Sequence, residues 1–493
     1  MSTPRERNSK SLDRFSMGVA RSFFEAAPAM RKGLRLDRLS PTGRVILSFA
    51  LLVLVGAFLL WMPICVAEGQ LPLGFVDALF TSCSAVCVTG LSTIDVGIRF
   101  SLYGQGVLLA LIQLGGLGFL TLSTGVTFSL GFRSSMLTRA AVAEVWGGRS
   151  GEEIRSLLRN LFLTTLLVEC VGAVVLAWRF AALDGLPLST ACWFGVFHSV
   201  SAFCNAGFSV FSTQAGHLGN SLEAYAQDPL SNLAVMGLIV MGGLGFVVIE
   251  EIIRWVRKFG RQRLSLHTKI VLSTSATLTF GGALLFFFCE WGGVFAGRPW
   301  YEGLWPSLFQ SVTARTAGFN TVPFGLLSGP TLMLIMVLMF VGGNPASCAG
   351  GIKTTTAFVI YKLTRARLAR QRNPTAFGRE ISMETVTRAA TLILIALGVV
   401  AVATGVLMVL TPPDAQAHNR SGVFMDILFE TISALGTVGL STGATNDLSA
   451  MGKLVVILAM FVGRLGPLTI FVALAQAPRV DKVRAPEASV IVG

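Results

Sequence analysis

The chain has 493 residues, 53% of them apolar and only 13% charged, with a mean hydropathy of +0.69. These values exclude a soluble enzyme, a disordered chain and a small disulfide scaffold. Lys and Arg exceed Asp and Glu by 39 − 26 = 13, but the cations fall in short segments between long apolar runs, the positive-inside signal of a polytopic membrane protein, so no nucleic-acid partner is expected.

In chain order, residues 1–44 form a basic stretch with no apolar core or cleavage site before the first span, expected as a cytoplasmic tail and not a signal peptide. Long apolar runs follow at 45–65, 103–130, 157–180, 229–253, 268–290, 328–343, 389–411 and 450–476, each near the ~20 residues of a membrane-spanning helix. Between them lie four shorter half-apolar stretches, 73–84, 190–203, 303–314 and 421–434. Each is too short to span and ends in a Ser/Thr/Gly-rich segment, the pattern of a re-entrant helix followed by non-helical backbone; such backbone is tolerated in a membrane only where it lines a watery cavity or is buried in protein. Basic clusters between Arg254 and Lys269 and between Lys362 and Arg388 place those loops in the cytoplasm, with both termini, and the re-entrant segments in the outer half. The eight cysteines lie in apolar context and read as reduced, buried small residues; with no metal-ligand spacing, no metal centre is expected.

An internal repeat carries the most information. The ends of the four short stretches align without gaps: SAVCVTGLST (84–93), SAFCNAGFSV (201–210), VTARTAGFNT (312–321) and SALGTVGLST (433–442), sharing Gly90, Gly207, Gly318 and Gly439. A second Gly-rich landmark follows each in the next helix: GGLG (115–118), GGLG (242–245), GGNP (342–345) and GRLG (463–466). The unit is helix, re-entrant helix, non-helical strand, helix. Two spans per unit give all copies one orientation, so four can close around an axis along the membrane normal. The strands then present backbone carbonyls able to replace the hydration shell of a cation, with glycine allowing backbone angles that a Cβ hinders. They carry no acidic side chain, which favours a monovalent cation over Ca²⁺.

Five glycines or prolines between Gly342 and Gly351 interrupt the third unit's second helix. A mobile barrier and a fixed kink both fit residues 342–353. Arg464 replaces the second glycine found in the other units (Gly116, Gly243, Gly343) and is expected at the axis just below the strands, raising the barrier to cations or anchoring the loop through its carbonyls; the alternative is a structural tie to an acid. Lys353 either snorkels to the interface or takes part in gating. Arg315 is expected behind its strand, paired with Glu430 or Asp77, and His198 as a hydrogen-bonded packing residue.

On the four strand segments, GGNPASCAGGIKTTT (342–356) and MFVGRLGPLT (460–469), the chain resembles the membrane subunit of the Ktr/Trk/HKT superfamily of potassium transporters, over residues 40–476 and most closely the Ktr branch. The resemblance implies an all-α fold of four parallel M1–P–M2 repeats, eight transmembrane helices plus four re-entrant pore helices. Their bounds would be 45–131, 132–260, 261–384 and 385–476, with a C-terminal tail at 477–493. It implies a selectivity filter at Val88, Thr89 and Gly90, Asn205, Ala206 and Gly207, Thr316, Ala317 and Gly318, and Thr437, Val438 and Gly439. It also implies a gate made of Gly342, Gly343, Asn344, Pro345, Ala346, Ser347, Cys348, Ala349, Gly350, Gly351, Lys353 and Arg464. Potassium is the implied transported ion, because some plant relatives that prefer sodium carry Ser where this chain has Gly90; sodium coupling or selectivity is the alternative. A homodimer on a separate cytosolic ATP/ADP-binding regulatory ring is implied, and this chain has no nucleotide-binding motif of its own. A secondary carrier is disfavoured by the parallel units. A membrane enzyme is disfavoured too, since no catalytic constellation is found.

Overall fold

The computed structural model describes residues 41–129, 151–211, 221–258, 260, 263–371, 373–411 and 420–466. The expectations for the N-terminal tail before residue 41, for the loop 130–150 and for the chain beyond 466 lie outside the described residues.

Four short helices, Phe75–Val86, Leu188–Phe203, Leu304–Thr313 and Arg420–Gly436, occupy the stretches expected to be re-entrant. Each is flanked by a preceding outer helix (Pro41–Trp61, Gly151–Leu183, Leu266–Cys289, Met383–Leu410) and a following inner helix (Leu102–Ser129, Pro229–Gly243, Gly329–Phe340, Ala450–Leu465). Each inner helix packs on the short helix of the next unit, and the last, Ala450–Leu465, packs back on the first short helix, Phe75–Val86. The contacts therefore close into a ring. Fully buried phenylalanines, Phe80, Phe197, Phe309 and Phe429, one on each short helix, fill the core there. The outer helices turn apolar side chains such as Leu163, Leu167 and Val174 outward, as lipid-facing surfaces do.

Close approach of outer and short helices recurs with one chemistry. Ser82, Ser199 and Ser311 donate to the carbonyls of Val53 (2.7 Å), Glu169 (2.7 Å) and Thr279 (2.7 Å). Three residues after each carbonyl stands a glycine, Gly56, Gly172 or Gly282, with no room for a Cβ beside that hydroxyl.

Three described helices are long and apolar enough to cross a membrane, and the bent pair Pro229–Gly243 and Phe246–Arg257, turning 105°, makes up to four; the other apolar helices are shorter. The run 229–253, expected as one helix, breaks at Leu244–Gly245, where Gly245 has φ +89°. A Cβ there would collide with the Pro345 carbonyl oxygen of the third unit, so the break makes room for a neighbour. The third inner helix stops at Phe340 and resumes as Thr354–Leu368, leaving 341–353 non-helical as expected. This second helix runs into the basic stretch expected as a cytoplasmic loop, and a two-residue hairpin pairs Thr375–Ala376 with Arg379–Glu380 beyond it. All eight cysteines are free, but Cys170, Cys192 and Cys289 are exposed, a correction to the buried reading: they stand on outward faces of apolar helices.

Candidate ion pathway

Each short helix ends in a strand with two left-handed residues. Val88, Asn205, Thr316 and Thr437 have φ of 56°, 59°, 72° and 49°, and the glycines two residues on, Gly90, Gly207, Gly318 and Gly439, have 94°, 69°, 80° and 93°. Left-handed backbone is costly for β-branched Val and Thr, and hydrogen bonds hold it in place. In the first unit Thr89 N donates to Ser84 O (2.8 Å) and Gly90 N to Ser84 Oγ (3.0 Å); in the fourth, Val438 N donates to Ser433 O (2.9 Å) and Gly439 N to Ser433 Oγ (3.1 Å).

The four glycines meet. A Cβ on Gly90 would strike the carbonyl oxygen of Ala206, one on Gly207 that of Ala317, one on Gly318 that of Val438, and one on Gly439 that of Thr89. The four strands thus form a closed ring in which each glycine packs on a carbonyl of the next strand. Above it opens a cavity of about 400 Å³, lined by the four glycines and by polar groups including Ser92, Asp95, Glu223, Asn320 and Asn446. Burial pushes the Asp95 and Glu223 carboxyls up from their ordinary values, opposed by the backbone N–H groups of Ile98 and Gly97 and by the Asn320 amide respectively.

Behind the ring, a polar side chain of each short helix grips the segment beyond its glycine: a carboxylate in the first and fourth units, an imidazole in the second and an amide in the third. Thr93 Oγ1 donates to Asp77 (2.8 Å), His198 Nε2 meets Ser209 Oγ (2.9 Å), Gln310 Nε2 donates to Thr321 (3.0 Å), and Glu430 accepts from Ser441 (2.5 Å), Thr442 N (3.2 Å) and Thr445 (2.6 Å). His198 is the hydrogen-bonded packing residue expected, stacked on Phe211. Arg315 corrects the expectation: it is buried, yet neither suggested acid pairs with it. Asp77 is taken by Thr93 and by Lys453 (2.6 Å), and Glu430 by the hydroxyls of its own unit.

Below the ring lies the loop 341–353, its neck closed by a parallel bridge between Val341 and Ile352. Gly350 abuts the Thr437 side chain, and a Cβ on Gly351 would lie 3.0 Å from the Gly436 carbonyl oxygen, so the loop sits directly under the third and fourth strands. The broken second unit holds it: Cys348 N donates to Gly242 O (3.2 Å), Asn344 Nδ2 to Gly243 O (2.8 Å), and Phe246 N to Ala346 O (2.9 Å). Asn344 Oδ1 accepts from Thr354 (2.5 Å) and Ser275 (3.2 Å). Arg464 donates to the carbonyls of Cys348 and of Gly115 (2.6 Å), joining the loop to the first unit. No carboxylate within salt-bridge distance of Arg464 occurs among the described residues, which favours the loop anchor over the tie to an acid. Lys353 Nζ donates to Ala349 O (2.7 Å), so it folds back on the loop instead of snorkelling.

The sequence reading missed Glu169, a buried acid whose Oε2 accepts from Gln113 (3.3 Å) and whose Oε1 faces the Cys204 thiol (4.0 Å). Its signal was available, since a carboxylate within an apolar run is a functional candidate by default.

Fold and site define a helical membrane protein in which four backbone strands enclose a central ring, with a loop of the third unit lying beneath it. The chain belongs to the TrkH family of cation transport proteins, which matches residues 37–483. It is 36% identical over 455 residues to the Ktr system potassium uptake protein B of Vibrio alginolyticus, covering 91% of this chain and 94% of that one. The Bacillus subtilis protein of the same name is 35% identical over 464 residues, covering 94% and 99%. The potassium/sodium uptake protein NtpJ of Enterococcus hirae is 36% identical over 468 residues, covering 94% and 99%. The crystal structure of the potassium transporter TrkH from Vibrio parahaemolyticus shares the fold, with a TM-score of 0.68 at 18% identity over 90% of this chain and 86% of that one.

Proposed function

We propose that this chain takes up potassium across the cell membrane, conducting the ion through a filter made of backbone carbonyls. The observation that carries the reading is the closed ring of four left-handed glycines, each on a carbonyl of the next strand. Carbonyls in such a ring replace the hydration shell of a monovalent cation. The filter comprises Val88 to Gly90, Asn205 to Gly207, Thr316 to Gly318 and Thr437 to Gly439. The short helices act as pore helices, their partly negative C-terminal ends aimed at the ring. The sequence and structural units are then four M1–P–M2 modules around a pseudo-fourfold axis, with repeats at 45–131, 132–260, 261–384 and 385–476.

The loop from Gly342 to Gly351, with Lys353 and Arg464, is the gate. Arg464 places positive charge beneath the filter and pins the loop through the Cys348 carbonyl. Opening requires those hydrogen bonds to break. Both termini face the cytoplasm, the positive side of the chain. A homodimer resting on a separate nucleotide-binding ring would supply the opening force; this chain transports ions and performs no bond-making chemistry. A second reading, sodium coupling or sodium transport, is favoured by the name of the Enterococcus hirae relative, a potassium/sodium uptake protein.

Expression in a bacterium lacking its own potassium uptake tests the proposal. Growth on micromolar potassium, lost in the Gly90→Ser variant, is the expected result. Growth restored equally by the wild type and the variant would contradict the filter, and growth that requires added sodium would favour the second reading.

A further inference from the structure

The third strand is held from another unit as well as from within its own. In the first, second and fourth units a serine at the end of the short helix (Ser84, Ser201, Ser433) bonds the strand from within. The third unit has Val312 at the aligned position, but its neighbour Thr313 supplies the hydroxyl, donating from Oγ1 to Phe319 O (2.7 Å) as Ser201 does to Phe208 O. It also has Asn320 where the others have Ser92, Ser209 and Ser441. Those serines bond within their own units, to Ile94 O, His198 and Glu430. Asn320 also bonds within its own unit, from Nδ2 to Val322 O (3.3 Å), and in addition is bound by the extracellular segment of the second unit. Leu222 N donates to Asn320 O (3.0 Å), Asn320 N donates to Ser221 Oγ (3.2 Å), and Asn320 Nδ2 donates to Glu223 Oε1 (2.6 Å). The segment is itself fixed at its far end. Tyr225 Oη donates to Asp184 (2.7 Å), and Arg179 pairs with both Asp184 (2.8 Å) and Asp228 (2.8 Å). Glu223 lines the cavity above the glycine ring.

Resting on the proposed potassium filter, we propose that Glu223 is a specificity-determining positioning residue: it clamps the third filter strand from outside through Asn320 and draws cations into the mouth. Two roles follow from its two properties. As a hydrogen-bond acceptor it fixes Asn320, two residues beyond Gly318, adding an outer hold to the inner bond from Thr313. As an anion it raises the cation concentration above the ring. The two roles separate by substitution, because Gln keeps an acceptor for the Asn320 amide and loses the charge, whereas Ala loses both.

The test is ⁸⁶Rb⁺ uptake into proteoliposomes of wild type, Glu223→Gln, Glu223→Ala and Asn320→Ser, with competition by K⁺ and by Na⁺, at low and high ionic strength. Glu223→Gln is expected to raise KM about fivefold at low salt, the effect of one partly screened charge, to lose that difference at high salt, and to keep the K⁺ over Na⁺ preference. Glu223→Ala is expected to show the same KM and a K⁺ over Na⁺ preference reduced about tenfold, matched by Asn320→Ser without the change in KM. Thermal unfolding of each purified protein in K⁺ against Na⁺ gives a flux-independent reading: the extra K⁺ stabilisation is expected to survive Glu223→Gln and to vanish in Glu223→Ala. Unaltered KM and preference in Glu223→Ala would overturn the proposal, and an altered KM alone would overturn the clamp. A wild type with neither K⁺-blocked uptake nor K⁺ stabilisation would instead contradict the filter itself.

Discussion

At the glycines the four units repeat one geometry; below them no two are alike. At the ring, every unit supplies a left-handed residue, a left-handed glycine and a carbonyl against the next strand. Beneath it the first unit offers the Gly115 carbonyl, the second a break at Gly245, the third a loop and the fourth Arg464. The contrast follows from what each level is proposed to do. A shell of carbonyls around a spherical ion works best when the strands are equivalent, whereas a stopper must cross the axis once and be fastened by whatever surrounds it.

The largest effect should come from spoiling the equivalence at the ring. Gly90→Ser places a Cβ against the Ala206 carbonyl at φ +94°. We expect the K⁺ over Na⁺ preference to fall by about tenfold or more, ~1.4 kcal/mol, read from competition of ⁸⁶Rb⁺ uptake. Next comes the fastening of the loop. Arg464→Ala removes both the buried charge and the bonds to Cys348 and Gly115, and initial uptake rates without any partner protein should rise on the order of tenfold; unchanged rates in a folded variant would remove Arg464 from the gate. Asn344→Ala cuts the bonds to Gly243, Ser275 and Thr354. The same assay should show a smaller rise, and thermal unfolding a loss of about 1–3 kcal/mol. The smallest effect belongs to Lys453→Met. Its pair with Asp77 joins the fourth unit to the first but is partly exposed, so a loss of about 0.5 kcal/mol is expected with selectivity intact. A change in ion preference there would mean that the ring depends on the fit between units more than on its own hydrogen bonds.

The repeated level was the legible one. Gly90, Gly207, Gly318 and Gly439 align by eye because one steric demand acts on all four, and the short helices fall within a few residues of their expected bounds. Residues 342–353 were legible for the opposite reason, an excess of Gly and Pro that no helix tolerates. The supports behind the ring were not. Asp77, His198, Gln310 and Glu430 perform one task with carboxylate, imidazole and amide groups, so no repeat betrays them, and the sequence instead suggests Glu430 and Asp77 as partners for Arg315. The break at Gly245 was equally hidden, since the same GGLG string at 115–118 lies inside the unbroken helix Leu102–Ser129. What bends one copy is the third unit's loop against it, a tertiary contact that local sequence does not carry.

Uptake of ⁸⁶Rb⁺ into proteoliposomes of the purified protein, competed by K⁺ and separately by Na⁺, addresses the central claim most directly. A carbonyl ring sized for a dehydrated potassium ion predicts block by K⁺ at concentrations far below those needed of Na⁺. Equal block by the two ions would contradict it.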